Sequence, residues 1–246
     1  MKISRRILVT GRLEEMEISR KSKVISCILK GVVIVSAAVG VWLSAAAGRQ
    51  GFMGGTRVFM YFTIQSNIAI AVICAVGGIL MIRSFRIRDW WLIVKFVGTI
   101  SITLTGAVFC FVLAPVFGSM AWNLQNVLTH VVVPITAVID FFVTGIYGNI
   151  GLRSVFLVTL PPLAYVIYAG IGYVAGWEFS KGTNYPYFFL NWGSPAGAFG
   201  FIDELPFMGC VWWIMLLLFA LIVVGAAYLL ILRLIRKSVK TGAGEE

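Results

Sequence analysis

Six apolar runs, each long enough to cross a lipid bilayer, constrain the fold of this chain more than any other feature. They cover about residues 24–47, 57–82, 90–114, 122–147, 154–176 and 207–232, and charges or turn residues bound each of them. Roughly 20 apolar residues in a helix cross the hydrocarbon core, and a helix satisfies its own backbone hydrogen bonds there. The sequence therefore predicts an all-α integral membrane bundle of six transmembrane helices, a single domain over residues 1–246.

Positive charges are distributed unevenly over the connections between these runs. Of the 20 Lys and Arg residues, 15 fall on one side of the predicted bilayer. Three fall on the other side, namely Arg49, Arg57 and Lys181, and Lys30 and Lys95 lie inside runs. Because cytoplasmic segments carry the excess of Lys and Arg, both termini are predicted to be cytoplasmic. This predicts a multi-pass protein of the cell membrane with cytoplasmic tails at 1–23 and 233–246 and an external loop at 177–206.

Several classes of function are disfavoured by composition. The net charge of +10 is explained by the topology, with basic flanks facing anionic lipid, so no nucleic-acid partner is predicted. The chain has no Gly-rich phosphate loop, no GxSxG elbow and no HExxH. Its single histidine and its four cysteines, each in a different run, fit neither a metal site nor a disulfide framework. The predicted partners are membrane lipids, with no metal and no cofactor.

Polar side chains are concentrated in the stretch "YFTIQSN" at the start of the second run. Helical spacing places Thr63, Ser66 and Asn67 on one face, whereas Gln65 points elsewhere. Polar groups at membrane depth are costly and usually face a cavity or a partner. This face is therefore a candidate functional surface.

A second polar stripe lies in the fourth run, "WNLQNVLTHVVVPITAVID". Asn123, Asn126 and His130 recur at spacings of three and four, which places them within about 60° on a helical wheel. Pro134 follows, and its ring conflicts with the carbonyl of His130, which predicts a kink.

The two polar stripes are predicted to lie at matching depth. At 1.5 Å per residue, Thr63 is about 9 Å and His130 about 12 Å inside the external face. A hydroxyl and an imidazole at one depth can form a nucleophile and base pair. The alternative is two helices held together by polar side chains, with Thr63 bonding its own backbone.

A carboxylate also lies inside the fourth run. Asp140 is about 15 Å deeper than His130, too far to orient that imidazole. An unpaired charge at that depth costs about 2.5–3.5 kcal/mol on insertion scales, so we expect Asp140 to pair with Lys95, with Lys30 as a competing partner.

The 177–206 loop is long and rich in glycine, proline and aromatic residues. Trp and Tyr favour the headgroup zone, so one interpretation is an interfacial aromatic belt. A cap over an external cavity is the other interpretation, because long loops in compact proteins are often functional. The two interpretations are compatible.

Three stretches resemble the androgen-induced membrane protein family, which includes the androgen-dependent regulator of tissue factor pathway inhibitor, and its bacterial six-span branch. They are "YFTIQSN", "NVLTHVVVPITAVIDFF" and "NYPYFFLN". Animal members hydrolyse fatty acid esters of hydroxy fatty acids with an intramembrane threonine and a histidine. The resemblance implies that Thr63 is the nucleophile and His130 its partner. The segment "IQSN" is more polar than the animal pattern, which affects the implied substrate.

The leading hypothesis is an intramembrane threonine-type lipid esterase that hydrolyses fatty acyl esters in the outer half of the bilayer. Thr63 and His130 are its catalytic residues. Its expected substrate-binding residues are Ser66, Asn67, Asn123, Asn126, Tyr185, Tyr187 and Phe188. The alternatives are a small-solute carrier, with the polar stripes lining its path, and a non-catalytic lipid-binding or partner-docking protein.

Overall fold

The chain forms a bundle of helices in the computed structural model, which describes residues 18–48, 55–83, 88–145 and 149–242. Most of the predicted 1–23 tail, the last four residues of the 233–246 tail, and Arg49 and Arg86 lie outside the described residues. Within the described ranges, six helices are long and apolar enough to cross a membrane, which confirms the predicted helix count. They are α1 (Arg20–Gly48), α2 (Phe62–Ile82), α3 (Asp89–Ala121), α4 (Leu124–Gly145), α5 (Leu152–Val174) and α6 (Cys210–Gly242).

Several predicted boundaries differ from the observed ones. Helix α6 continues to Gly242 rather than ending near residue 232, and α1 begins at Arg20 rather than near residue 24. Helix α2 begins at Phe62 rather than near residue 57, because a short 3₁₀ helix, Gly55–Met60, precedes it. Helix α3 continues to Ala121 rather than ending near residue 114. It passes Pro115 by adopting a π turn at Phe109–Leu113, which changes the hydrogen-bond register ahead of the proline.

A second π turn, Leu128–Val132, interrupts α4 ahead of Pro134. Pro134 has no N–H to give to the carbonyl of His130, and the wider turn accommodates its ring. The position for which the sequence predicted a kink therefore contains a π turn, and His130 lies in it. The two π turns are in contact through one residue of each. The rings of Phe109 and His130 stack with their centroids 3.9 Å apart.

Two apolar clusters hold the bundle together. One cluster joins α1, α2, α3 and α4, and its members include Val33, Ile70, Ile102 and Val133. The other joins α3, α4, α5 and α6. Since lipid is as apolar as these side chains, close van der Waals packing rather than water exclusion stabilises such contacts in a membrane.

A cluster of charges is buried between α1, α3 and α4. Asp140 lies 2.8 Å from the Nζ atom of Lys30 and 2.6 Å from that of Lys95. The predicted pairing with Lys95 is confirmed, and the competing lysine pairs as well. Ser26 donates to Asp140, and Thr144 accepts from Lys95 at 2.5 Å. These five residues, named the Asp140 cluster, carry one negative and two positive formal charges.

The 177–206 loop packs over the ends of α2, α5 and α6. Phe179, Phe189 and Leu190 of the loop are buried against Tyr61 and Tyr165. Glu178 also pairs with Arg57 at 2.5 Å, next to the start of α2. Exposed loop side chains such as Phe199 and Phe201 fit the belt interpretation, and the packed ones fit the cap interpretation. The end of the bundle that this loop covers is called the loop side below.

Candidate active site

Thr63 is the second residue of α2, where backbone N–H groups have no partner within the helix. The N–H groups of Ile64 and Gln65 donate to the carbonyl of Tyr61. The Thr63 N–H instead donates to the hydroxyl of Tyr187 in the 177–206 loop, over a long distance of 3.4 Å. The start of α2 therefore presents a threonine hydroxyl and its own backbone N–H together.

A pocket opens beside Thr63 between α2, α3, α5, α6 and the loop. Its volume is about 60 Å³. Apolar side chains form most of the wall, and the polar groups on it belong to Thr63, Thr105, Tyr165 and Tyr187. A reacting polar group would thus be held in an apolar surround, in which electrostatic interactions are stronger than in water.

The predicted polar face of α2 is present. Ser66 and Asn67 are buried, Thr63 is partly buried, and Gln65 is exposed and bonds back to Phe59. The Ser66 hydroxyl lies 2.7 Å from that of Thr105 and also donates to the carbonyl of Thr63. Ser66 therefore ties the first turn of α2 to α3.

Asn67 connects the nucleophile candidate to the histidine segment. Its Nδ2 donates to the carbonyl of Thr63 at 2.8 Å and to the carbonyl of Thr129 at 3.1 Å. One amide nitrogen thus holds the backbone of Thr63 and the residue before His130. Asn67 is fully buried, and its Oδ1 has no hydrogen-bond partner among the described residues. A buried unmatched acceptor costs about 1–3 kcal/mol, and catalytic roles are among its common explanations.

His130 is held by its own helix. Its Nδ1 lies 3.0 Å from the carbonyl of Asn126 and 3.0 Å from the hydroxyl of Thr129. A carbonyl only accepts, so the bond to Asn126 requires the proton on Nδ1. This tautomer leaves a lone pair on Nε2, which a general base needs. The stacked ring of Phe109 covers one face of the imidazole.

Asn67 bonds to the backbone of Thr63 and to that of the residue before His130, but Thr63 and His130 are not bonded to each other directly. Among the described residues, no hydrogen bond joins the Thr63 hydroxyl to the His130 imidazole, and His130 does not line the pocket. In enzymes without bound substrate, catalytic hydrogen bonds are often long and shorten only in the substrate complex. The catalytic pairing of these two residues stays a prediction.

Other predicted substrate-binding residues have local contacts. Asn123 caps α4 by accepting from the N–H of Asn126, and the Asn126 side chain donates to the carbonyl of Ala121. Phe188 packs on Trp213, with centroids 5.8 Å apart. Of the nine predicted site residues, two line the pocket, Thr63 and Tyr187. The other seven do not line it: Ser66, Asn67, Asn123, Asn126, His130, Tyr185 and Phe188.

Sequence reasoning missed three residues that shape the site. Tyr165 and Thr105 line the pocket, and Phe109 stacks on His130. Thr105 carried a signal, because a hydroxyl within an apolar run needs a partner. Tyr165 and Phe109 carried none, since a single aromatic residue in a transmembrane run is usual.

Gly106 sets the distance between α3 and α4 beside His130. A Cβ atom at position 106 would lie 2.8 Å from the His130 carbonyl and 3.1 Å from Cγ of Pro134. Backbone and a proline ring cannot move aside as a flexible side chain can. We expect Gly106→Ala to destabilise the protein by about 1–3 kcal/mol, the usual effect of overpacking. Thermal unfolding in detergent measures the change.

Gly170→Ala is the matched control, because a Cβ atom at helical position 170 meets nothing within 4 Å. An alanine there should be neutral or slightly stabilising. Equal stability of the two variants would contradict the close approach of the helices at Gly106.

A scan against protein-family models, a search of curated proteins and a search of solved structures each found no match to this chain. The arrangement of these residues on the six apolar helices is therefore what indicates a function.

Proposed function

We propose that this chain is an intramembrane ester hydrolase for fatty acyl esters, with Thr63 as the nucleophile and His130 as the base. The observation that carries the proposal is the position of Thr63 on the wall of an apolar pocket, beside its own N–H, which has no partner within the helix. A hydroxyl, a nearby imidazole and an apolar surround are what ester hydrolysis in lipid requires.

The pocket dimensions suit the ester group and the first carbons of its chains. The pocket volume of about 60 Å³ is more than one water molecule needs. The remainder of a fatty acyl chain must extend along the helices that form the wall. Val166 and Leu217, on α5 and α6, are among the apolar residues of that wall.

The proposed reaction has two steps. Thr63 Oγ attacks the ester carbonyl carbon while its proton passes to Nε2 of His130, and the carbonyl π electrons move to the oxygen. The C–O bond to the alcohol then breaks, and the leaving alkoxide takes the proton from His130. A water molecule, deprotonated by the same imidazole, hydrolyses the acyl–Thr63 ester. The bond between the acyl carbon and Thr63 Oγ then breaks, the Thr63 oxygen takes the proton from His130, and the carboxylic acid is released.

Proton transfer between Thr63 and His130 requires a direct contact or one intervening water molecule. Asn67 supports the transfer because it holds the backbone next to both residues, and its unmatched Oδ1 can accept a hydrogen bond there.

The direct test is turnover by the purified protein in liposomes. The substrate is a fatty acid ester of a hydroxy fatty acid, and mass spectrometry follows the two acids that are released. A phosphonate ester probe is added in parallel, and the modified peptide is mapped. We expect release of both acids and probe attachment at Thr63. Absence of turnover together with absence of a Thr63 adduct would refute the proposed function.

A small-solute carrier is the second candidate, and the Asp140 cluster favours it. Ionisable residues at membrane depth often mark ion or substrate pathways. A carrier would move a labelled solute across liposomes, and Thr63→Ala would leave that flux nearly unchanged. In an esterase, Thr63→Ala removes the turnover, and the wild-type protein moves no solute.

We also infer that the chain lies in the cell membrane with both termini in the cytoplasm and the 177–206 loop outside. The uneven distribution of Lys and Arg supports this orientation. On intact cells, Lys181→Cys should react with an impermeant thiol reagent, and Ser238→Cys should react only after permeabilisation. Both positions are exposed, and the unsubstituted protein gives the background of its own four cysteines. The reverse labelling pattern would invert the orientation.

A further inference from the structure

The hydroxyl of Tyr187 is a group of the 177–206 loop that contacts the backbone of the proposed nucleophile. It accepts the N–H of Thr63 at 3.4 Å. The side-chain hydroxyls of Thr63 and Tyr165 are also hydrogen-bonding neighbours of the Tyr187 hydroxyl. A residue of the loop thus contacts the second residue of α2, 124 positions earlier in the chain.

The Tyr187 ring is fixed by aromatic packing. It stacks on Phe189 with centroids 5.0 Å apart and meets Tyr61 edge-on at 5.7 Å. It also contacts the ring of Tyr165 at 6.1 Å. Three aromatic neighbours hold the phenol so that its oxygen is directed at the start of α2. Such fixed placement is what electrostatic stabilisation of a transition state requires.

The protonation state of this phenol suits a donor rather than a base. Burial raises the pKa of the Tyr187 hydroxyl above its usual value. The group therefore keeps its proton at neutral pH. It has one O–H to donate and lone pairs that accept the Thr63 N–H.

We propose that Tyr187 is a catalytic residue that donates its O–H to the oxyanion formed when Thr63 attacks an ester. The second donor is the backbone N–H of Thr63, which has no partner within α2. In the structure without substrate, the Tyr187 oxygen occupies the place in front of this N–H. During the reaction, the substrate oxygen approaches both donors from the pocket, and the Thr63 N–H bonds to it instead of to the Tyr187 oxygen. The positive end of the α2 dipole favours the negative charge that develops there.

This role rests on the proposed ester hydrolysis and assigns the 177–206 loop a part in the chemistry. The loop then completes the site rather than only covering it. The carbonyl carbon becomes tetrahedral as the Thr63 oxygen bonds to it, and the former π electron pair resides on the oxygen that the two donors bind. The two hydrogen bonds weaken again when the leaving alkoxide departs and the carbonyl re-forms.

The test is Tyr187→Phe, which keeps the ring packing and removes only the hydroxyl. Loss of one oxyanion donor typically lowers kcat by about 10²–10³-fold. We expect a fall in kcat of about 100-fold, a KM changed by less than about threefold, and only a small fall in the thermal unfolding temperature, because the long bond from the Thr63 N–H is lost. Tyr168→Phe is the control, because Tyr168 packs in the same aromatic cluster but does not line the pocket.

Each outcome decides one point. Wild-type turnover with an equally active Tyr187→Phe variant overturns the donor role and leaves the ester hydrolase proposal in place. An increase in KM alone also overturns it, since it shows substrate binding without transition-state stabilisation. No wild-type turnover and no Thr63 adduct refute both proposals together.

Discussion

Replacing Thr63 with alanine is expected to lower kcat for ester hydrolysis by at least about 10³-fold, because no acyl–enzyme can form without the hydroxyl. His130→Ala should have a similar effect. The double variant should be scarcely worse than either single one, since residues of one catalytic unit are strongly non-additive. Release of fatty acid by the purified variants in liposomes measures all three effects.

Thr103→Ala is the matched control for these substitutions. The Thr103 hydroxyl also lies in a transmembrane helix and bonds to a backbone carbonyl, but it contacts Tyr228 rather than the pocket. This variant should keep nearly full activity. Full activity in a folded Thr63→Ala or His130→Ala protein would eliminate the proposed mechanism. So would a double variant whose loss equals the product of the two single losses.

Asp140→Asn is expected to destabilise the bundle more than Gly106→Ala does. Asp140 is fully buried, and its carboxylate is the one negative charge between Lys30 and Lys95. Removing it leaves two ammonium groups without a counterion. Breaking a buried ion pair in this way costs about 3–5 kcal/mol. Thermal unfolding in a fixed detergent measures the loss.

The lysines provide the controls for this experiment. Lys30→Met or Lys95→Met leaves one lysine paired with Asp140, a neutral arrangement, so each should be less destabilising than Asp140→Asn. Methionine keeps most of the length of the side chain. If either lysine variant unfolds at a lower temperature than Asp140→Asn, the carboxylate does not hold the cluster together.

The helices and the charge cluster could be predicted from the sequence. Apolar runs of sufficient length have few alternatives to helices in lipid, and charges inside such runs need partners. Asp140, Lys30 and Lys95 are the only acidic and basic residues well inside the runs, so these two lysines were the candidate partners of Asp140. That both pair with it at once was not predicted. Ser26 and Thr144 lie one turn from Lys30 and Asp140, and this spacing was a usable signal for their place in the cluster.

Helix ends and side-chain contacts were predicted less well. A proline such as Pro115 usually predicts the end of a helix. Helix α3 continues past it because of the π turn at Phe109–Leu113. Whether a proline ends a helix or produces a π turn depends on packing with neighbouring helices, which one sequence does not reveal. For the same reason, matched depth brought Thr63 near the His130 segment but did not establish which side chains bond.

The conformation of the 177–206 loop could not be predicted in detail from the sequence. Its glycines and prolines gave no periodicity, so nothing in the sequence distinguished Tyr185 from Tyr187. Only Tyr187 of the two lines the pocket. Ser194 of the same loop is buried, although a polar residue in a loop is usually exposed.

Because α4 contains a π turn, the direction of its His130 face is not fixed by the direction of its Asp140 face. A regular helix rotates by about 100° per residue, so the angle between His130 and Asp140 would be determined by their separation alone. A π turn adds a residue to one turn and changes this rotational phase. Deleting one residue within Leu128–Val132 would rotate the His130 half of α4 relative to the half that holds Asp140. A chain of this kind can alter its chemistry on the loop side by such a length change while its anchoring charges stay in place.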